Sequence, residues 1–148
     1  MTEGRKLAAI LAADVVGYSR LAGVDEELIL ARLRTLRSDL IDPTIAVRGG
    51  RVVKRTGDGV LVEFRSVVDA VRCAIEMQLG MAERNAGLPP EKRIEYRIGV
   101  HIGDVVEESD GDLMGDGVTE SLTTDLSAHL RFVRDRPQHG VYIQRQAL

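Results

Sequence analysis

The sequence predicts an α/β domain with the order strand, helix, strand, strand, helix, strand. This is the split βαβ pattern of ferredoxin-like folds, a mostly antiparallel sheet with helices on one face. Three observations carry it: the continuously apolar run Leu7–Val16, the β-branched segments on either side of Gly57-Asp58-Gly59, and two long stretches of helical period between the strands. At 148 residues the chain is about one domain, long enough to hide roughly 68–70% of its unfolded surface.

Leu7–Val16, bounded by Arg5-Lys6 and Gly17, reads as a first strand buried on both faces. A loop around Gly23 follows. Asp25-Glu26-Glu27 then opens a helix carrying Leu28, Ala31, Leu36, Leu40 and Ile41, with acids in the first turn where the dipole favours them. Pro43 is expected to kink or interrupt it before Ile45–Val47 and the Gly49-Gly50 stop. Arg51–Thr56 and Val60–Phe64 form a hairpin. Ser66-Val67-Val68-Asp69 is a capping box with Asp in place of Glu, opening a second helix that ends before Gly87-Leu88-Pro89-Pro90. Ile94–Ile102 alternates as a strand, with a turn expected at Gly103-Asp104 before Val105-Val106. Farther on, Thr119–Phe132 has leucines four apart, the spacing of a short helix, and Gly140–Gln144 has the pattern of a strand.

Composition narrows the function classes. With 44% apolar and 29% charged residues the chain is an ordinary globular, cytosolic-type domain. A single cysteine, Cys73, forms neither an internal disulfide nor a zinc site, and no run approaches the roughly 18 apolar residues of a membrane span. A net charge of −3, no Trp and few aromatics argue against nucleic acid as a partner. An acidic body that handles an anionic ligand needs a cation to bridge like charges.

Asp14, at the carboxyl end of the first strand, is on its own an ordinary turn or cap residue, and Asp58 in Gly57-Asp58-Gly59 is on its own a hairpin signal. The crossover, however, puts the first strand beside the hairpin and brings both carboxylates toward one patch. Two carboxylates without His or Cys prefer Mg²⁺ or Mn²⁺ to zinc, and such a pair can hold two ions about 3.5–4 Å apart.

Three motifs then stand in order: Asp14-Val15-Val16-Gly17-Tyr18-Ser19, Lys54-Arg55-Thr56-Gly57-Asp58-Gly59, and Asp112-Leu113-Met114-Gly115-Asp116-Gly117-Val118. Together they resemble the catalytic domain of class III adenylate and guanylate cyclases, from about Arg5 to Val118. The resemblance implies a ferredoxin-like nucleotide cyclase core that dimerises head to tail, with active sites between subunits. It implies that Asp14 and Asp58 bind two Mg²⁺ or Mn²⁺ ions and that the backbone of Val15, Val16, Gly17 and Tyr18 lies near the phosphates. Lys54 and Asp112 of the other subunit would read the purine. An ammonium donating to N1 and a carboxylate accepting from the 6-amino group suit adenine, so ATP is implied over GTP. The partner would be a second copy or another cyclase chain.

The chain departs from the family after Val118. Thr119 and Thr123 occupy positions where the family has an Asn and an Arg that orient the ribose and stabilise charge on the phosphate. Neither supplies a guanidinium, so the catalytic set is not intact and turnover is expected to be impaired. The whole is read as one incomplete cyclase domain over 5–148 with a divergent tail over 119–148. His101 and Cys73 read as structural residues, and Arg32, Arg34 and Arg37 as a solvated helix face.

Overall fold

In the computed structural model, residues 4–107 and 140–145 are described. Strand β1, Gly4–Val15, is followed by helices α1, Tyr18–Val24, and α2, Glu26–Leu36. A π-helical turn over Arg37–Ile41 leads into helix α3, Asp42–Val47. Strands β2, Arg51–Arg55, and β3, Val60–Phe64, precede the long helix α4, Val67–Asn85. A short 3₁₀ turn over Pro90–Lys92, strand β4, Tyr96–Glu107, and strand β5, Gly140–Arg145, complete the described chain.

The sheet runs β2-β3-β1-β4-β5, with every pair antiparallel except β4 and β5. This is the mixed α/β architecture the periodicities predict. Each helical crossover skips one strand, so β1 enters the sheet between β3 and β4. Alternate residues of β1 (Ala9, Leu11, Ala13, Val15) join Val62, Phe64, Ile98 and Val100 in one core with α2 residues Ile29 and Leu33 and α4 residues Ala70, Cys73 and Met77. The intervening residues Ala8, Ile10, Ala12 and Asp14, on the opposite face, are buried as well. That double burial is why the run has no polar alternation.

Local chemistry explains the boundaries. Asp25 caps α2 by accepting from the Leu28 amide at 3.0 Å, and Ser66 caps α4 by accepting from the Asp69 amide at 3.1 Å. After α3, Gly49 takes φ +75, and the amides of Gly49 and Gly50 donate to the carbonyls of Ala46 and Ile45, a Schellman closure that needs the glycine. Arg48 grips Glu76 through two 2.8 Å hydrogen bonds and ties α3 to α4. This pairing holds the Glu76 carboxyl below its ordinary range.

Three expectations are corrected. The segment around Gly23 is helix α1, not a loop; only Leu21 of its seven residues is buried, so it carries no apolar period to read. No turn occurs at Gly103-Asp104. The pairs Ala8↔Gly103 and Leu7↔Asp104 continue the ladder to Gly4↔Glu107, because β1 starts at Gly4 and supplies backbone partners throughout. Ile94 is fully buried yet precedes the strand: the Asn85 side chain donates to its carbonyl at 2.8 Å and accepts from its amide at 3.3 Å, replacing strand partners. Gly140–Gln144 is indeed strand, as β5, whereas the helix expected over Thr119–Phe132 lies outside the described residues.

Candidate functional site

The carboxyl end of β1 delivers Asp14 to the sheet face opposite the helices, with only 4% of the residue exposed. Burial of a charged group requires a partner. Across the ladder, in register with Asp14, stands Arg97 of β4. Its Nε donates to Asp14 Oδ1 at 3.0 Å and its second guanidinium nitrogen donates to Oδ2 at 2.9 Å, a bidentate pair with side chains 14% and 6% exposed.

Asp58 arrives from the hairpin. Thr56 closes that turn twice: its amide donates to the Gly59 carbonyl at 2.9 Å, and its hydroxyl accepts from the Gly59 amide at 2.8 Å. The Asp58 carboxylate then accepts from the Val15 amide at 3.4 Å, one residue beyond Asp14. This bond holds Asp58 at the end of β1, one residue along the chain from Asp14. Close approach of the backbones makes this possible, since a Cβ on Gly59 would lie 2.8 Å from the Ala13 carbonyl oxygen and 2.8 Å from Thr56 Oγ1. Gly57 faces open space. We expect Gly59→Ala to destabilise the fold by about 1–3 kcal/mol and Gly57→Ala by less than about 0.5 kcal/mol in urea unfolding. Equal costs would mean that the contact with Ala13 is not what demands glycine.

The remaining sequence-predicted residues are distributed as follows. Val15 and Val16 use their amides inside the protein, on Asp58 and on the Glu95 carbonyl at 2.8 Å. Gly17, at φ +66, turns the chain into α1 ahead of the half-buried Tyr18. Lys54 is exposed on β2, opposite Leu61, and β3 separates it from β1. Asp112, Thr119 and Thr123 lie outside the described residues.

Sequence reasoning missed Arg97. The signal that finds it is register: an arginine on the polar side of an alternating strand, two residues before Gly99, facing the position where β1 ends. Tyr96, beside it, is 7% exposed, and burial pushes its phenol up to about 12, with Arg37 opposing and Asp58 adding to the rise. Cys73 is a core residue as read, its thiol raised to about 12 by burial.

Among the described residues no group of three or more His, Cys, Asp or Glu converges on one point. Asp14 and Asp58 alone still fit Mg²⁺ or Mn²⁺, which bind through one or two carboxylates and take their other ligands from water and substrate phosphates. The donors are all oxygen, and neither His nor Cys is among the groups described beside them. No helix among the described residues is long and apolar enough to cross a membrane.

Comparison with known proteins identifies the family. The model of the adenylate and guanylate cyclase catalytic domain matches residues 2–116. A Rhizobium meliloti protein named "Putative adenylate cyclase 3" is 52% identical over 124 residues, covering 84% of this chain and 21% of that protein. A Streptomyces coelicolor adenylate cyclase is 36% identical over 120 residues, covering 78% of this chain and 28% of its own length. The chain thus spans under a third of either relative. A solved adenylate/guanylate cyclase/hydrolase from Silicibacter pomeroyi superposes with a TM-score of 0.65 at 45% identity, over 89% of this chain and 73% of that one.

Proposed function

Because this chain belongs to the adenylate and guanylate cyclase catalytic domain family, we propose that it is an adenylate cyclase-type domain that converts ATP to cyclic AMP and pyrophosphate as a homodimer, with turnover depressed by its own residues at 119 and 123. The observation that carries this reading is the hydrogen bond that holds the Asp58 carboxylate on the Val15 amide, one residue past the buried Asp14 at the end of β1. Asp14 and Asp58 would hold divalent cations there, and the bound ions would neutralise the phosphates and make the ribose 3′-hydroxyl more acidic.

The residues of the chain divide the remaining work. Arg97 adds a guanidinium beside the acids, a donor fork suited to phosphate oxygens. Gly17 and Tyr18 open α1 with amides at the same end of β1, and Val15 fixes Asp58. Lys54, exposed and a strand removed from Asp14, suits a residue that completes a neighbouring subunit's site, and Asp112 would join it in reading adenine. In the reaction the 3′-oxygen forms a new bond to the α-phosphorus as the bond to pyrophosphate breaks, so positioning is most of what the protein supplies. A second reading, favoured by Thr119 and Thr123, is a nucleotide-binding or dimerisation module that pairs with a complete cyclase chain and does not itself turn over.

Calorimetric titration of ATP in the presence of Mn²⁺, beside a cyclic AMP assay and light scattering, tests the proposal. We expect Mn²⁺-dependent ATP binding by a dimer, loss of that binding in Asp58→Ala, and cyclic AMP formation that is measurable but low. Absence of ATP binding would overturn the first reading and leave of the second only the dimerisation module, whereas binding without any cyclic AMP would select the nucleotide-binding module.

A further inference from the structure

We propose that the groove between α2 and the α4–β4 connection is a binding site for a small monocarboxylate with an apolar tail, of the fatty-acid class, whose occupancy braces helix α1. The groove measures about 580 Å³, within the usual range for small-molecule sites. It lies among α1, the first turns of α2 and the segment after α4 that carries the 3₁₀ turn. Leu21, Ile29 and Leu88 supply apolar wall, and Val24 and Leu28 line it while 86% and 54% exposed. An apolar tail laid there would take that aliphatic surface out of water. The proposal stands independently of the reading of Asp14 and Asp58.

The rim sets the charge of the head group. Arg20, Arg32 and Lys92 line the groove, and among the described residues none of the three makes an ion pair or a side-chain hydrogen bond. Nearby arginines are engaged: Arg84 and Arg93 donate to the carbonyls of Gly80 and Leu88, and Arg48 donates to Glu76. Arg32, expected on a solvated helix face, is instead half-buried, and its guanidinium meets no acceptor among the described residues. Such a group favours a carboxylate that can reach it. Two acids share the rim, Glu91 and Asp25, the latter already held by the Leu28 amide. Three cations against two acids leave one positive charge, which suits a monoanion and disfavours a polyphosphate. Leu28 stands one helical turn before Arg32, so a tail lying on Leu28 brings its carboxylate to the guanidinium. Helix α1 buries only Leu21; covering Val24 would add a second anchor and make local opening of this helix rarer.

The test is calorimetric titration of decanoate, kept below its micelle concentration, into the whole chain, with amide hydrogen exchange to locate it. We expect a single decanoate per chain with a Kd on the order of 0.1 mM, weakening about fourfold for each methylene removed toward octanoate. Exchange should slow over α1 and the start of α2. Arg32→Gln should weaken binding about tenfold, and decanamide, which lacks the charge, should bind the wild type no better than decanoate binds that variant. Leu28→Asp, a change at an exposed position, should abolish binding while leaving the melting temperature unchanged. Decanamide binding as tightly as decanoate, or decanoate binding that Leu28→Asp leaves intact, would overturn the proposal. It would equally fall if decanoate were inert and the same amides were slowed by phosphatidylglycerol vesicles, by an acidic amphipathic peptide or by raised protein concentration alone. The groove would then belong to a membrane surface, a protein partner or a second copy. Binding without slower exchange in α1 would overturn the bracing.

Discussion

Replacing Asp14 with alanine is expected to destabilise the protein by about 3–5 kcal/mol, the cost of breaking a buried ion pair. The magnitude follows from the seclusion of the pair. Side chains 14% and 6% exposed are poorly screened by solvent, whereas an exposed pair such as Arg51–Glu63, whose arginine is 63% exposed, falls in the range of about 0–1 kcal/mol. Arginine also holds its charge at any accessible pH, so the folded protein cannot discharge the strain by losing a proton. A melting temperature lower by about 10 °C or more is the corresponding observable for a domain of this size. Replacing both residues, Asp14→Ala with Arg97→Met, should recover a large part of the loss. A single-variant cost below about 1 kcal/mol in urea would show that the pair is effectively solvated and that the site is more open than its burial indicates.

The second large effect concerns turnover. Restoring an amide and a guanidinium together, Thr119→Asn with Thr123→Arg, is expected to raise cyclic AMP formation with Mn²⁺ by on the order of 10²–10³-fold, the usual worth of an electrostatic donor aimed at developing charge. ATP affinity should change far less, because these groups act on charge that appears only as the α-phosphorus is attacked. A rise in affinity without a rise in rate would place the two positions in ground-state binding. Full activity in the unaltered chain would refute the impaired-site argument outright.

How much of this was legible in the sequence depended on whether a feature left a local trace. The apolar run of β1, the hairpin around Asp58, the Ser66 cap and the alternation of β4 are each written in consecutive residues, and each element is found, with β4 shifted to Tyr96–Glu107. Helix α1 left no trace, because a helix that buries only Leu21 has no period. The continuation of β4 through Gly103-Asp104 was hidden for a different reason. A Gly-Asp pair signals a turn only where the partner strand has ended, and here β1 extends back to Gly4. For the site, Asp14 and Asp58 could be paired in thought because the crossover rule constrains neighbouring strands. Arg97 could not, since its relation to Asp14 rests on a register that spans 83 residues of sequence. Motif reading finds residues that are close along the chain, and an ion pair across a ladder is invisible to it.

The placement of β1 between β3 and β4 also governs how the protein comes into being. It leaves the ribosome before its partners do, so Asp14 must wait for Arg97, 83 residues later, and Val15 for Asp58, 43 residues later. At the usual pace of synthesis that interval lasts on the order of ten seconds. Throughout it, an apolar strand destined for burial on both faces has two open edges, the form in which chains associate with one another instead of folding. The hairpin of β2 and β3 can close one edge early, but the other stays open until β4 is complete. A nascent chain halted before Tyr96 is thus a sticky fragment awaiting a chaperone, and the centre of the sheet, with Asp14, is secured only when β4 arrives.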